Sequence, residues 1–426
     1  MADTIFALSS GAPPAAIGVV RVSGRDAARA VIALTGSLPP ARRAVLRSLR
    51  DARGEVLDRA LVICFPGDNT ATGEDLAEFH LHGGRAVVAA VERALADIPG
   101  LRQAEPGEFT RRAFANGKID LAEAEGLADL LAAETEIQRR HAAAMAGGAL
   151  SGQVAAWRDA VLRAAAQVEA VLDFGDEDDV GQLPDSFVET LRDLEQDIGA
   201  MLARPGVEVL KEGFRVVLAG PPNAGKSSLF NRLVEDEAAI TAPVAGTTRD
   251  VLSRPVAISG VPFLFVDTAG LRDAREDLIE TIGIERARNE LDRADLVLWL
   301  GPEGEGEGAQ VWEVESFADL PGPRRRRPAR HRVSAATGQG VDALRQDLLD
   351  LARSAMPGPG TVALNRRQHD LLAQARSALE EACSLNDPLL VAESLRVGRS
   401  AFDRLLGRAT TEDMLDTLFG RFCIGK

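Results

Sequence analysis

The sequence predicts a multidomain protein that combines α+β and α/β architecture. Near residue 119 the hydrophobic pattern changes from short strand-like segments to amphipathic helix spacing, and Ala/Leu/Arg-rich helical sequence flanks a strand–loop–helix segment on both sides. We therefore expect an N-terminal α+β domain, a discontinuous helical domain, and an inserted α/β domain with a mostly parallel sheet and flanking helices. The predicted boundaries are 1–118 for the first domain, 119–210 and 356–426 for the two helical parts, and 211–355 for the insert.

The composition is that of a globular protein with several cores. The 426 residues are 46% hydrophobic and 27% charged, and the net charge is −15. We expect a cytoplasmic protein without membrane association, because the sequence has no apolar run of eighteen residues, no leader after Met1 and no pairable cysteine framework. The acidic balance argues against nonspecific coating of nucleic acid, but it is compatible with a local basic site.

The flanking elements follow from the same patterns. In the first domain, residues 17–22 and 59–65 have the length and branched side chains of strands, and residues 86–96 have the pattern of a helix. From residue 119 onwards, apolar side chains recur at i, i+3, i+7 and i+10, which is typical of an amphipathic helix. The remaining helical sequence runs to about residue 204, with breaks at Gly147-Gly148 and Gly175, and returns at 365–385 and 392–406.

The centre of the insert is a glycine-rich loop. Gly220 is followed after four residues by Gly225-Lys226-Ser227, with an apolar strand at 214–219 before the loop and helical sequence after it. In that context backbone N–H groups face an anion, the lysine reaches the β/γ-phosphates and the serine hydroxyl ligates Mg²⁺. An ordinary glycine turn would leave the lysine–serine pair unexplained. We therefore predict a nucleoside triphosphate site, whose loop residues are Asn223, Ala224, Gly225, Lys226, Ser227 and Ser228.

Two later motifs stand at the spacing of a Ras-like GTPase. The segment 246–250, GTTRD, supplies threonine hydroxyls that close over the nucleotide, and we assign Thr247 to the nucleotide and Thr248 to Mg²⁺. The apolar strand before residue 267 delivers Asp267 to the Mg²⁺ shell and Gly270 to the γ-phosphate. Each motif alone would be weak, but in this order after the loop they predict further nucleotide contacts at Asp267, Thr268, Ala269 and Gly270.

The guanine end of the predicted site departs from the usual pattern. GTPases read guanine through Asn-Lys-x-Asp, whereas the segment 316–319 here is SFAD. Asp319 can still accept from guanine, but the purine-packing lysine and the bracing asparagine are absent. The alternatives are a guanine site read by Asp319 and a degraded nucleotide site. A Ser-Ala turn whose backbone contacts guanine O6 is predicted at Ser334, Ala335 and Ala336.

Two further features leave alternatives open. The run Arg324 to Arg327 is either a solvated loop or a contact for RNA phosphate. Leu271 stands where Ras-type enzymes carry the water-orienting glutamine, and leucine cannot hydrogen-bond water. Another group, for which the carboxylates of 272–285 are candidates, must position the water, or hydrolysis will be very slow.

Taken with these motifs, nearly the whole chain resembles the MnmE (TrmE) family of tRNA-modification GTPases. Generic GTPases lack two of the matching stretches, PGEFTRRAF at 106–114 and FCIGK at 422–426. Other matching stretches are DTI at 3–5, IGVVRVSG at 17–24, TGED at 72–75, HGG at 82–84 and NGKIDLAEAE at 116–125.

The resemblance implies a dimeric N-terminal domain that binds a 5-formyl- or 5,10-methylene-tetrahydrofolate as the one-carbon source. Cationic groups suit such a ligand because folate carries carboxylates. The matching positions are Arg21, Glu78, Lys118 and Lys426.

The resemblance also implies activation by K⁺, which bridges two nucleotide domains as they pair. The matching K⁺ ligands are the Asn223 side chain, the backbone oxygens of Ala242 and Val244, and Thr247. The catalytic carboxylate that orients water corresponds to Glu280.

Members of the family act with an MnmG (GidA)-type partner that uses FAD and NADH. The pair installs an aminomethyl or carboxymethylaminomethyl group at C5 of the wobble uridine, position 34, of certain tRNAs. Cys423 is either a nucleophile or a passive terminal residue. The rival hypotheses are a ribosome-assembly GTPase of the Era/EngA type, and a scaffold that binds folate and partner but hydrolyses GTP poorly.

Overall fold

The computed structural model describes residues 3–174, 183–184, 186–235, 252–267, 288–321, 328–358, 360–409, 411–420, 422 and 424–425. The chain divides into two compact units. The first comprises 1–128, 145–162 and 399–426, and the second comprises 129–144 and 163–398.

The first unit contains a six-stranded sheet within the described residues. Its strands are β1 (Thr4–Leu8), β2 (Ile17–Ser23), β3 (Val45–Arg50), β4 (Val56–Phe65), β5 (Leu76–His82) and β6 (Leu101–Gln103), in the order β3-β4-β5-β2-β1-β6. All neighbours are antiparallel except β1 and β6. Helices α1 (Ala27–Thr35) and α2 (Arg85–Ala96) pack on one face, where Val20, Phe79 and Leu81 are buried. The predicted strands at 17–22 and 59–65 and the helix at 86–96 are confirmed.

A smaller core in the first unit joins distant parts of the chain. The next helices are α3 (Glu108–Ala115), α4 (Leu121–Ala132), α5 (Glu136–Ala146) and α6 (Ala149–Phe174). Leu121 and Ala124 of α4 pack with Phe419 and Phe422 near the C-terminus. Pro106, in the loop before α3, forms an isolated antiparallel β-bridge with Ile424. The two stretches that carry the resemblance, 106–114 and 422–426, therefore meet in the structure.

The break between α4 and α5 has a local cause that is visible in the sequence. The Thr135 hydroxyl accepts from the Gln138 N–H, and the Gln138 side chain accepts from the Thr135 N–H, which makes a capping box. The predicted continuous helix up to Gly147 is therefore two helices, because the capping residues begin a second one.

The second unit contains a mostly parallel six-stranded sheet within the described residues. Its strands are β7 (Phe214–Ala219), β8 (Leu252–Ile258), β9 (Val261–Asp267), β10 (Leu296–Trp299), β11 (Val311–Glu315) and β12 (His331–Arg332), in the order β12-β11-β10-β7-β9-β8. Only β8 is antiparallel to its neighbour. The short apolar runs of β7, β9 and β10 are buried on both sides, as expected for parallel strands. The predicted α/β sheet is confirmed.

Helices accompany this sheet and extend beyond it. They are α7 (Ser186–Leu202), α8 (Glu208–Glu212), α9 (Lys226–Glu235), α10 (Val341–Ala355), α11 (Arg366–Ser384) and α12 (Pro388–Leu405), with α13 (Glu412–Phe419) in the first unit. Among the described residues, no helix is both long enough and apolar enough to span a bilayer.

The chain enters and leaves the sheet region at one place. The Val207 N–H donates to Leu364 O at 3.1 Å, so the incoming and returning segments lie side by side. Helix α5 holds both segments, because the Gln138 side chain donates to Leu210 O and His141 Nδ1 lies 3.1 Å from Thr361 O. This pairing is the geometry that an inserted domain requires, while the three predicted domain boundaries themselves stay predictions.

We expect Gly107→Ala to loosen the α3–α13 contact. Gly107 has φ 69°, and a Cβ there would overlap the carbonyl oxygen of Phe419, so the backbone must move. Gly117→Ala is the matched control, because Gly117 has φ 67° and nothing lies within 4 Å of its Cβ position. The control should lose about 1–2 kcal/mol from the left-handed conformation alone. Gly107→Ala should lose roughly 1–3 kcal/mol more from overpacking.

Native-state hydrogen exchange of the α3 and α13 amides measures this difference. Equal opening free energies in the two variants would contradict the contact.

Candidate functional site

The glycine-rich loop joins the central strand of the second sheet to a helix. Strand β7 ends at Ala219 between β9 and β10, and α9 begins at Lys226. Gly220 has φ 145°, and a Cβ there would stand 3.1 Å from the carbonyl carbon of Leu300. Gly225 has φ 88° and is approached closely by side chains of the 316–319 loop. Both glycines of the motif are therefore required by backbone conformation and by close packing.

Lys226 is the cation of this loop. Its side chain is buried, and Nζ donates to the carbonyl oxygens of Gly220 at 3.0 Å and Pro221 at 2.8 Å. These two bonds hold the ammonium group of Lys226 against the glycine-rich loop. Phosphate oxygens can take the place of these carbonyl acceptors, which is the role predicted for this lysine.

Ser227 and Asp267 form the predicted Mg²⁺ end of the site. The Ser227 hydroxyl donates to Asp267 Oδ2 at 2.6 Å, and Asp267 is fully buried at the carboxyl end of β9. Mg²⁺ prefers oxygen ligands and takes few from the protein when phosphates supply the rest, so this hydroxyl–carboxylate pair fits the ion. Among the described residues no group of three His, Cys, Asp or Glu side chains could hold a metal by itself.

The predicted guanine end is assembled from two loops. Strand β11 delivers Ser316, whose hydroxyl donates to Ala224 O of the glycine-rich loop at 2.7 Å. The absence of the usual asparagine therefore does not remove the brace between these loops, because a serine makes it. The Ala318 N–H donates to Val333 O at 3.0 Å, which brings Asp319 beside the Ser334 turn.

Ser334 is buried and organises its own turn. Its N–H donates to Gln339 O at 2.9 Å, and its hydroxyl accepts from the Thr337 N–H. All of these groups follow the carboxyl ends of parallel strands, which is where open α/β sheets bind ligands. The structure thus brings together the predicted residues 223–228, 267, 319 and 334–336.

Two of the predicted folate residues, Arg21 and Glu78, lie on strands of the first unit's sheet, on the face opposite α1 and α2. Arg21 donates from Nε and Nη2 to the same Glu78 oxygen, at 3.2 and 2.9 Å, across the β2–β5 pair. His80 Nε2 lies 3.2 Å from the other Glu78 oxygen. The Arg21 guanidinium also lies over the Phe109 ring at 5.9 Å from its centre. Two of the four predicted residues are therefore in direct contact.

A polar row continues from Arg21 along the same strand. Ser23 hydrogen-bonds Thr72 at 2.7 Å and Glu74 at 3.0 Å, and Arg112 donates to Glu74 at 3.1 Å. Lys118 is exposed beside this turn, with its Cε 3.0 Å from the Cβ position of Gly73. The row joins β2 to the turn at 72–74, and Lys118 stands at its end.

Next to this row is an open groove that the sequence did not indicate. Its volume is about 670 Å³, and charged groups of α3 and its neighbours line it, including Arg102, Glu108 and Arg112. Burial opposes ionisation of Glu108, but hydrogen bonds from Arg102 and Arg112 prevail and lower the pKa of that carboxyl to about 2. The groove wall is therefore a neutralised ion-pair network rather than a field of free positive charge.

Cysteine chemistry is disfavoured at one of the three positions. Burial raises the pKa of the Cys64 thiol to about 11, so it stays protonated at neutral pH.

Several predicted residues lie outside the described part of the chain: Ala242, Val244, Thr247, Thr248, Thr268, Ala269, Gly270, Glu280, the run 324–327, Cys423 and Lys426.

The chain matches two protein-family models. "GTP-binding protein TrmE N-terminus" matches residues 4–118, and "MnmE helical domain" matches residues 121–423. The chain is 61% identical over 424 residues to the tRNA modification GTPase MnmE of Erythrobacter litoralis, and 60% over 437 residues to that of Novosphingobium aromaticivorans. Both alignments cover 100% of this chain and of the relative.

Among solved structures, the chain is similar to the G domain of the T. maritima FeoB iron transporter. The two are 23% identical, with 32% of this chain and 98% of that chain covered and a TM-score of 0.23.

We expect Ser227→Ala and Asp267→Asn to raise the Mg²⁺ requirement for nucleotide binding. Loss of one partner of a metal-site pair typically costs about 10- to 100-fold in metal affinity. Titration of GDP retention against Mg²⁺ measures the shift, and Ser253→Ala of β8 is the control, since it removes an exposed hydroxyl elsewhere on the sheet. An unchanged Mg²⁺ dependence in both variants would exclude this pair from the metal site.

Proposed function

The chain belongs to the MnmE family of tRNA modification GTPases, and from that premise we propose a K⁺-dependent GTP hydrolase that drives modification of C5 of the wobble uridine in tRNA. The observation that carries the proposal is the phosphate end of the site: a buried Lys226 over the loop and a Ser227–Asp267 pair beside it. These groups match the charge and the metal of a nucleoside triphosphate.

Each group has a distinct task in this proposal. The loop N–H groups at the start of α9 bind the phosphate oxygens, and Lys226 neutralises their charge. Ser227 and Asp267 orient the metal, with Thr248 as the second proposed protein ligand. When bound, Mg²⁺ would neutralise the negative charge that develops on the phosphates during hydrolysis. Thr268, Ala269 and Gly270 are the proposed backbone contacts of the γ-phosphate.

The proposed K⁺ site begins at Asn223. This residue is exposed at the tip of the loop with φ 61°, a left-handed conformation that asparagine tolerates better than most residues. An exposed amide oxygen at this point suits an ion shared with a second copy of the domain. Ala242, Val244 and Thr247 are the other proposed ligands, and Glu280 is the proposed carboxylate that positions water in place of a glutamine.

The proposed folate site uses Arg21, Glu78, Lys118 and Lys426. The Arg21–Glu78 pair is partly exposed, and half-exposed apolar side chains share its sheet face: Ile17, Leu46 and Leu61 are 59%, 46% and 44% exposed. Register supports one continuous face, because Leu46 pairs with Leu61 and Leu61 with His80. An apolar face around an ion pair suits both the flat pterin ring and a second copy of the chain.

The proposed partners are tRNA and an MnmG-type flavoprotein that supplies FAD and NADH chemistry, in the cytoplasm. Because the chain carries a net charge of −15, we expect it to contact tRNA phosphates only through a local basic segment. The arginine run at 324–327 is the proposed contact. The Era/EngA alternative is not favoured, because the N-terminal and helical family models together account for 4–118 and 121–423. The poorly hydrolysing scaffold remains the rival, favoured by Leu271 and by the SFAD segment.

We expect GTP hydrolysis to rise about tenfold or more in K⁺ relative to Na⁺, because K⁺ would replace the charge that an arginine finger supplies. ATP turnover should stay at background in both salts. Asn223→Ala should abolish the K⁺ response while nucleotide affinity is retained, and phosphate release from the full-length chain measures all of these rates. Equal and negligible turnover in every condition would contradict the GTPase proposal and support the poorly hydrolysing scaffold.

We expect the full-length chain to bind 5-formyl-tetrahydrofolate, and Arg21→Ala to weaken that binding about 10-fold or more, since one charge-assisted hydrogen bond is worth roughly 1.5–3 kcal/mol. Arg93→Ala is the control, because Arg93 is an exposed arginine of α2, which packs on the opposite face of the sheet. Isothermal titration measures both. Equal affinity in the parent and Arg21→Ala, or no binding by the parent, would exclude this site.

A further inference from the structure

Phe317 is held in an unusual backbone conformation at the guanine end. Its φ is 60°, in the left-handed region that bulky residues rarely adopt, and its side chain is 47% exposed. Such a conformation persists only where the surroundings impose it, and residues of this kind cluster at ligand sites. An aromatic ring that is both constrained and half exposed invites a ligand-binding explanation.

The ring rests on the glycine-rich loop. Phe317 Cζ and Cε2 lie 3.2 and 3.5 Å from the position that a Cβ would take at Gly225, so the missing side chain makes room for the ring. The adjacent Ser316 hydroxyl is bonded to Ala224 O at 2.7 Å. Two neighbouring contacts therefore fasten the 316–319 loop to the phosphate-binding loop and fix where the ring stands.

The groups beside the ring can recognise the edge of a base. Asp319, two residues on, is exposed, and the Ala318 N–H to Val333 O bond places it next to the turn at 334–336. A carboxylate accepts from two adjacent N–H donors, and backbone N–H groups of a turn donate to a carbonyl oxygen. The guanine edge presents donors and a carbonyl in that arrangement, and its flat face needs an apolar partner.

We propose that Phe317 is a base-stacking platform for guanine, and that Ser316 braces the loop that carries it. The ring would replace the stem of the purine-packing lysine, and the serine hydroxyl would replace the bracing asparagine. This inference rests on the proposed GTPase function and identifies how its altered guanine end works. Because stacking on an aromatic ring tolerates any base, discrimination between purines falls to Asp319 and the 334–336 turn.

The test is equilibrium binding of GDP, IDP and XDP to the full-length chain with Mg²⁺. Phe317→Ala and Phe317→Leu should each weaken GDP and IDP by a similar factor of about tenfold, the usual effect of removing one stacking side chain. Phe317→Leu keeps apolar packing on Gly225 but has no π face, so it separates stacking from filling space. Phe317→Trp should retain GDP affinity, and its fluorescence should change on GDP binding.

Two further variants separate stacking from base reading. Asp319→Asn should weaken GDP binding and strengthen XDP binding. Xanthine carries a carbonyl acceptor where guanine carries an amino donor, and an asparagine amide can donate to that acceptor. The double variant Ser316→Asn with Phe317→Lys rebuilds the usual motif and should bind GDP about as tightly as the parent. Its binding also shows that the loop tolerates substitution, and thermal melting of every variant checks the fold.

The outcomes are distinct. If Phe317→Leu binds GDP within about twofold of the parent, the ring only fills space and the stacking role is wrong. If the parent binds GDP through Phe317 but hydrolyses no GTP in K⁺, the GTPase proposal fails and the stacking role stands. If the parent binds no guanine nucleotide, both proposals are wrong.

Discussion

Parallel pairing of β10, β7 and β9 is the constraint on which the nucleotide site depends. With β7 in the middle, the carboxyl ends of these strands open at one edge of the sheet. Leu218 stands opposite Asp267 in that register, so the carboxylate reaches the Ser227 hydroxyl just beyond the end of β7. A slip of one residue would turn Asp267 to the other face of its strand and remove it from the site. The geometry of the proposed metal end is therefore a consequence of strand register.

The two ends of the site tolerate change differently. At the phosphate end, Gly220 and Gly225 are restricted by positive φ and close neighbours, and Lys226 is held by two carbonyls, so few substitutions are compatible. At the base end, the requirement is a braced loop and an apolar surface, which different side chains can meet. A serine hydroxyl makes the brace to Ala224, and a phenylalanine ring covers Gly225. Divergence at 316–317 is therefore compatible with a working site.

The proposed folate site of the first unit would meet a charged ligand differently. Its cations are already paired in the structure: Arg21 with Glu78, and Arg102 and Arg112 with Glu108. Such pairs keep guanidinium groups oriented while they are partly buried, and they avoid the desolvation cost of an isolated charge. A carboxylate ligand would have to share these donors with protein carboxylates. Selectivity would then come from the apolar surroundings, including Phe109 beneath Arg21.

The sequence by itself determined the local features: the strand–loop–helix around Gly220 to Ser227, the apolar strand that ends at Asp267, and the helix periods on either side of the insert. These depend on neighbours within a few residues, and the structure follows them. Only the tertiary structure decided which distant side chains meet. Ser316 is 92 residues from Ala224, Asp267 is 40 from Ser227, and Glu78 is 57 from Arg21. Such contacts depend on strand order and register, which no local pattern encodes. The hydrogen bond from Ser316 to Ala224 and the packing of Phe317 on Gly225 therefore could not be predicted from the sequence.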